Sequence, residues 1–267
     1  MLSSRQQQCL QGIGVRLWRK RSAADASSLA TEPLAIPAVT EMFDAPETQS
    51  SELKIPHTSL ADVTPAPEKA SPAPAPRQAF EIPLLDNWDV ITSTIQQCTA
   101  CELAQNCTQK VPGVGDRKAN LLIVGEGPGH DEDIRGEPFV GRSGQLLDRM
   151  LAAIGIAREQ VYITNIVKCR PPNNRDPKPD EAKQCRVYLD AQIKLIAPKV
   201  ILSVGRVSAH NLLGSNLPVG KLIQQVHQLP GTGIPLKVTY HPAYLLRSPA
   251  AKATAWQDLK LLHRMLQ

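Results

Sequence analysis

The chain has 267 residues, of which 42% are hydrophobic but only 4% aromatic, and it carries 23 prolines; a packed core is expected, with part of the length contributing little apolar area to it. Its formal net charge is +5, and no run approaches the roughly eighteen apolar residues of a spanning helix, which excludes a helical membrane protein. Residues 1–84 hold 8 Lys/Arg against 9 Asp/Glu and the remaining 183 hold 22 against 16, so the positive excess lies where the chain reads as folded and leans toward a polyanionic partner, a soluble surface being the plainer reading.

The first 24 residues contain five Arg/Lys and no acid. They lack the apolar block and cleavage site of a secretory signal, which leaves a basic tail of a cytoplasmic protein or an amphipathic import leader; cytoplasmic location is the expectation. Without a secretion signal, the six cysteines are expected as metal ligands or free thiols rather than disulfides. From Ser22 to Gln78 the chain is rich in Ala, Pro, Ser, Thr and Glu and ends in TPAPEKASPAPAPR, a composition that favours extended polyproline conformations and reads as a disordered linker. The organisation expected is a basic segment and linker over 1–84 and a folded domain over 85–267.

Order is expected to begin near Leu84, where Trp88, Ile91 and Ile95 recur at helical spacing. Strands are predicted at Leu121–Gly125, Val161–Val167, Lys199–Gly205 and Leu236–His241, apolar on both sides as strands covered on both faces are. Helices are predicted at Ser143–Ile154, Pro179–Ile196, Val207–Leu213 and Ala250–Leu266, with Gly155, Pro198 and Gly214 where helices should stop. This alternation predicts a three-layer α/β/α domain around a central four-stranded parallel sheet, with a site beyond the carboxyl ends of its strands.

The polar and glycine-rich segments follow those strand ends. GEGPGHDED, residues 125–133, lets the backbone turn sharply with its amides exposed, and it fixes Glu126 inside the turn. In PFVGRSGQLLDRML, Phe139 is either core or a ring that stacks on a flat heterocycle, and Ser143 is a candidate helix cap and phosphate contact. HPAYLLRSP puts His241 at the end of the last strand, followed by Leu245, Leu246 and Arg247, an apolar wedge beside a phosphate-binding cation. Cys98 and Cys101 form C-x2-C, then come Cys169 in KCRPP and Cys185 after 15 intervening residues. The spacing fits a 4Fe-4S cluster, and a zinc ribbon less well because the second C-x2-C is missing; free thiols remain open, and Cys107 competes as a ligand on spacing alone.

In the order C-x2-C, GEGPGHDED, PFVGRSGQLL, YITNIVKCRPP, Cys185 and TYHPAYLLR, the chain resembles the type 4, iron-sulfur uracil-DNA glycosylases over roughly Ile91 to Leu266. The resemblance implies that Cys98, Cys101, Cys169 and Cys185 ligate a 4Fe-4S cluster. It implies that Phe139 stacks on an extruded uracil and Asn165 bonds its Watson-Crick edge, that Gly125 and Gly127 are substrate-binding, that Glu126 belongs to the water-activating motif, and that His241 faces uracil O2. Glu132 is the candidate wall against the thymine methyl. Other uracil glycosylases carry aspartate where Gly127 stands, and a covalently trapping relative carries a basic Arg-Arg-Ile-His insertion that GRSGQLL lacks. The activity implied is hydrolysis of the N-glycosidic bond of deoxyuridine in single- or double-stranded DNA, by a monofunctional, monomeric repair enzyme with no membrane partner. A noncatalytic DNA-binding module, like those appended to phage-type DNA polymerases, is the alternative.

Overall fold

The computed structural model describes residues 82–267; the expectations for the basic N-terminal segment and the linker lie outside the described residues. Helix α1, Trp88–Gln97, opens the fold. Asn87 caps it by accepting the Val90 amide at 2.9 Å, and its apolar stripe buries Ile91 and Ile95. After the short α2, Leu103–Asn106, the chain runs β1 (Val114–Gly115), β2 (Leu121–Gly125), α3 (His130–Arg135), α4 (Arg142–Ala153), β3 (Tyr162–Asn165) and α5 (Pro179–Ile196). It continues through β4 (Val200–Val204), α6 (Arg206–Leu213), α7 (Val219–Leu222), β5 (Val226–Gln228), β6 (Pro235–Thr239), α8 (Pro242–Arg247) and α9 (Lys252–Leu266).

The sheet order is β1-β3-β2-β4-β6-β5. Its four central strands, β3, β2, β4 and β6, are parallel, and the four runs of apolar β-branched residues supply them. Two short antiparallel edge strands, β1 on β3 and β5 on β6, widen the expected four to six. Alternation along β2 shows the layering. Leu122 and Val124 face a cluster that includes Leu189 and Ile193 of α5 and Leu212 of α6. Leu121 and Ile123 face the opposite cluster, with Leu147 and Leu151 of α4 and Leu259 of α9. Both faces of the sheet are therefore covered by helices.

The helix stops follow backbone chemistry. Gly214 ends α6 with φ 61°, Gly155 follows α4 with φ 79°, and α5 ends at Ala197 immediately before Pro198. One buried ion pair ties α9 to the sheet. Lys237 Nζ lies 2.7 Å from Asp258 Oδ1 with both side chains almost fully buried, and Thr239 Oγ1 donates to Asp258 Oδ2 at 2.8 Å. Asp258→Ala strands the Lys237 ammonium without a counter-charge. We expect about 3–5 kcal/mol of lost stability, measured as a lower urea midpoint; an unchanged midpoint would show that this pair does not hold α9 in place.

Candidate active site

β2 is the strand from which the chain passes first to one side, to β3, and then to the other, to β4. Crevices form at such switch points, outside the carboxyl ends of the strands. Here the edge opens into a cavity of about 780 Å3. Glu126 follows β2, Asn165 ends β3 and His241 lies two residues beyond β6, and all three line the cavity, as do Gly127, Phe139 and Arg247. Gly125 sits beneath them, paired in register with Asn165. A Cβ on Gly125 would fall 2.7 Å from the Phe139 ring and overlap the Asn165 carboxamide oxygen, so glycine is what allows these two side chains to share the strand end.

Asn165 is 1% exposed, and its Oδ1 has no hydrogen-bond partner. An unmet buried acceptor costs about 1–3 kcal/mol, so this oxygen is held ready for a donor that enters the cavity. Phe139 sits at φ 54°, a left-handed conformation rare for a bulky residue. Three ties hold it. Arg158 Nη2 donates to the Pro138 carbonyl at 2.6 Å, the Val140 and Gly141 amides donate to Glu132 Oε1 at 2.9 and 3.1 Å, and Gly144 leaves room for the Phe139 carbonyl, which any Cβ there would overlap. The other Glu132 oxygen accepts the Gly129 amide at 3.0 Å.

Glu132 lines the cavity, and the backbone amides on both its oxygens make it a strut for the Phe139 turn while fixing its side chain at the cavity wall. Two expectations are corrected by the structure. Ser143 lines the cavity from the first turn of α4 without capping it; the cap is Gly141, with no side-chain bond. Leu245 is no wedge: it is 1% exposed and packs in the core with α4 and α9, whereas Tyr244 and Leu246, at 40% and 41%, are the exposed apolar side chains of α8.

His241 Nδ1 accepts the Ala243 amide at 3.2 Å, which leaves the proton of the neutral ring on Nε2. Burial pushes this imidazole down to about 4, with the nearby Arg247 charge adding to the shift and Glu132 opposing it. Its ring lies 5.6 Å from that of Phe139. Glu126 moves the other way. Burial, reinforced by the facing Asp176 carboxylate and opposed by Arg206, raises its carboxyl to about 7.

Asp176 and Arg206 form an ion pair at the rim and line the same cavity, as do Asn174 and Tyr240. Sequence reasoning missed all four. Arg206 directly follows Gly205 at the end of β4, so the strand-end rule applied to that strand would have found it. Asp176 and Asn174 lie in the irregular NNRDPKP segment, where no periodicity marks them.

A second, smaller and nearly dry cavity lies behind the sheet edge, lined by Cys98, Cys101, Cys169 and Cys185. Cys107 does not line it, and its thiol donates to the Ala104 carbonyl at 3.9 Å. Among the described residues no three His, Cys, Asp or Glu side chains converge as a single ion requires. The Tyr188 hydroxyl also borders this cavity, buried and without a nitrogen or oxygen partner, next to Cys98. Burial raises the Cys101 thiol and pushes that of Cys185 up to about 11, so an added positive charge is needed to hold them as thiolates at neutral pH.

Fold and pocket define an α/β enzyme that works at the carboxyl edge of a parallel sheet. The family model described as Uracil DNA glycosylase superfamily matches residues 112–260, and the chain belongs to that superfamily. It is 44% identical over 182 residues to a type-4 uracil-DNA glycosylase of Archaeoglobus fulgidus, covering 66% of this chain and 92% of that protein. A type-4 uracil-DNA glycosylase of Thermotoga maritima is 43% identical over 161 residues, 60% of this chain and 83% of its own. A DNA polymerase of Bacillus phage SP01 is 33% identical over 156 residues, which are 58% of this chain but only 17% of the polymerase.

Glu132→Gln tests the strut. One carboxamide group turns a donor toward at least one backbone amide, and stability should fall by about 1–3 kcal/mol, measured by urea unfolding. A variant as stable as the parent would show that the Phe139 turn does not depend on this carboxylate.

Proposed function

We propose that this protein releases uracil from DNA by hydrolysing the N-glycosidic bond of deoxyuridine, leaving an abasic site. One observation carries the reading: Asn165, whose buried carboxamide oxygen has no partner, lines the same cavity as His241, Glu126 and Phe139. Uracil offers an N3–H donor beside an O4 acceptor, which a carboxamide matches with its oxygen and its amino group. Cytosine offers neither in that order, and a site built for one pattern leaves its own buried groups unpaired with the other. Because those edges are paired in a duplex, the base must be extruded before it reaches the cavity, where Phe139 stacks on it. The exposed Tyr244, Leu246 and Arg247 are the side chains offered to fill the gap in the helix and to hold a flanking phosphate.

Bond cleavage builds positive charge on the deoxyribose and negative charge on the departing base. His241, neutral and with its proton on Nε2, donates to uracil O2 as the negative charge grows, and it holds that orientation through the Ala243 amide. Glu126 in its carboxylate form stabilises the sugar cation and orients the attacking water. Gly127 cannot be exchanged for the aspartate of other uracil glycosylases without a shift, since a Cβ there would lie 2.8 Å from Val167 Cγ2.

The resemblance to type 4 uracil-DNA glycosylases implies a 4Fe-4S cluster held by Cys98, Cys101, Cys169 and Cys185, and the donor set supports it. Four thiols lining one small apolar cavity, without the second C-x2-C of a zinc ribbon, suit a cube of iron and sulfide better than a zinc ion. When bound, the cluster supplies a covalent clasp joining the end of α1, the segment after β3 and α5. Residues 85–267 form the catalytic domain in this reading, following a basic segment and linker over 1–84. The enzyme acts as a cytoplasmic monomer on single- and double-stranded DNA. A noncatalytic module has no need of Glu126, Asn165 and His241 on one cavity.

Incubation with an oligonucleotide bearing one uracil, followed by alkali, should break that strand and no thymine control; an intact uracil strand at stoichiometric enzyme would overturn the proposal. His241→Ala should slow single-turnover release by about 100- to 1,000-fold while leaving affinity for abasic DNA unchanged. The pH dependence has a definite sign. Glu126 is raised to about 7, so its carboxylate, and with it the rate, should grow as pH rises through about 7 and then level off. His241, near 4, remains neutral throughout that range. Glu126→Gln should give a slower and pH-flat profile, and a parental slope in that variant would assign the titration elsewhere.

A further inference from the structure

Lys168 lines the thiol cavity and bonds the backbone of Asn165, is 1% exposed, and has no carboxylate partner among the described residues. Its Nζ donates to Thr164 Oγ1 at 2.6 Å, Gln192 Oε1 at 2.8 Å and the Asn165 backbone carbonyl at 2.9 Å. Thr164 Oγ1 and Gln192 Nε2 both donate onward to the Pro112 carbonyl, at 2.8 and 2.9 Å, so the acceptors are themselves fixed. The other end of the residue belongs to the thiol cavity. Lys168 lines it, its backbone amide donates to the Cys185 sulfur, and its carbonyl accepts the Val111 amide at 2.8 Å. The chain continues directly into Cys169.

A buried ammonium surrounded by neutral oxygens is expensive unless an anion lies near. Once the thiols are thiolates, the four-sulfur cavity that Lys168 itself lines carries such a negative charge. Lys168 therefore answers to the charge behind the sheet edge while holding the carbonyl of the residue in front of it. We propose that Lys168 is a positioning residue through which the occupant of the four-thiol cavity sets the placement of Asn165, and so the protein's preference for uracil. The proposal rests on the functional reading above.

The test uses the iron-loaded protein and two non-cleavable oligonucleotides, one carrying 2′-fluoro-deoxyuridine and one a tetrahydrofuran abasic analogue. Fluorescence anisotropy gives the affinity ratio between them, and iron release to an excess of chelator, followed by absorbance near 400 nm, is timed with each DNA bound. In the parent protein the uracil analogue should bind more tightly and should retard iron release more than the abasic DNA does, because the two sites share one strut. In Lys168→Met, the affinity ratio should fall by about tenfold, as one lost charge-assisted bond implies, with abasic binding kept, and the two DNAs should retard iron release equally. Lys168→Gln, which keeps a donor, should fall between them and serves if the methionine variant does not fold. A Lys168→Met or Lys168→Gln protein with the parental ratio and the parental difference in iron release would overturn the proposal, as would equal retardation by both DNAs in the parent. A parent with no preference for the uracil analogue, or without iron, would instead overturn the functional reading.

Discussion

The close approach of β2 and β3 at their carboxyl ends is the constraint on which the rest of the site depends. Gly125 and Asn165 face each other in register, and the absence of a side chain on one makes room for the carboxamide of the other and for the Phe139 ring. A methyl group at Gly125 would drive these two apart. Everything that then converges there does so because parallel strands end along one edge: Glu126 from the turn after β2, and His241 from the turn after β6, against Gly205, whose φ of 96° and missing Cβ let the histidine pack.

The electrostatics of the cavity follow from its enclosure. Low-dielectric surroundings disfavour charge on both titratable groups, lowering the imidazole and raising the carboxyl. A neutral imidazole donor suits a leaving group that becomes anionic, since its proton position is set by a backbone amide and needs no reorganisation. The carboxyl is balanced more finely. Asp176 pushes it toward the acid form and Arg206 toward the carboxylate, and these two are paired with each other at the rim. An incoming DNA phosphate would compete for that arginine.

Much of the architecture was legible because two-sided burial leaves a plain mark. The β2 run LLIVG and helix α5 from Pro179 to Ile196 occupy the predicted residues, since continuous β-branched stretches and a proline-started amphipathic stretch have few other solutions. The β3 prediction ran past Asn165 because Ile166 and Val167 are equally apolar and their amides still bond the Gly125 and Glu126 carbonyls. Strands β1 and β5, two and three residues long, carry no pattern of their own and exist only by pairing with their neighbours. Residues that line the cavity were legible where a strand ends in a polar group, as at Glu126, Asn165 and His241. They were not where helical phase decides. In YLLR, only one of two adjacent leucines faces out, and α8 turns Leu245 into the core. Nor does composition reveal that the Glu132 oxygens are taken by backbone amides.

The Phe139 turn is held in an unfavourable backbone conformation by ties that all come from the chain itself: a guanidinium on the preceding carbonyl, a carboxylate on the two following amides, and a glycine beneath. Its conformational entropy is therefore surrendered during folding and not during encounter. A socket of this kind does not mould itself to what it meets. Whatever ring enters the cavity meets a surface already shaped, so the cost of ordering that surface is not charged against binding.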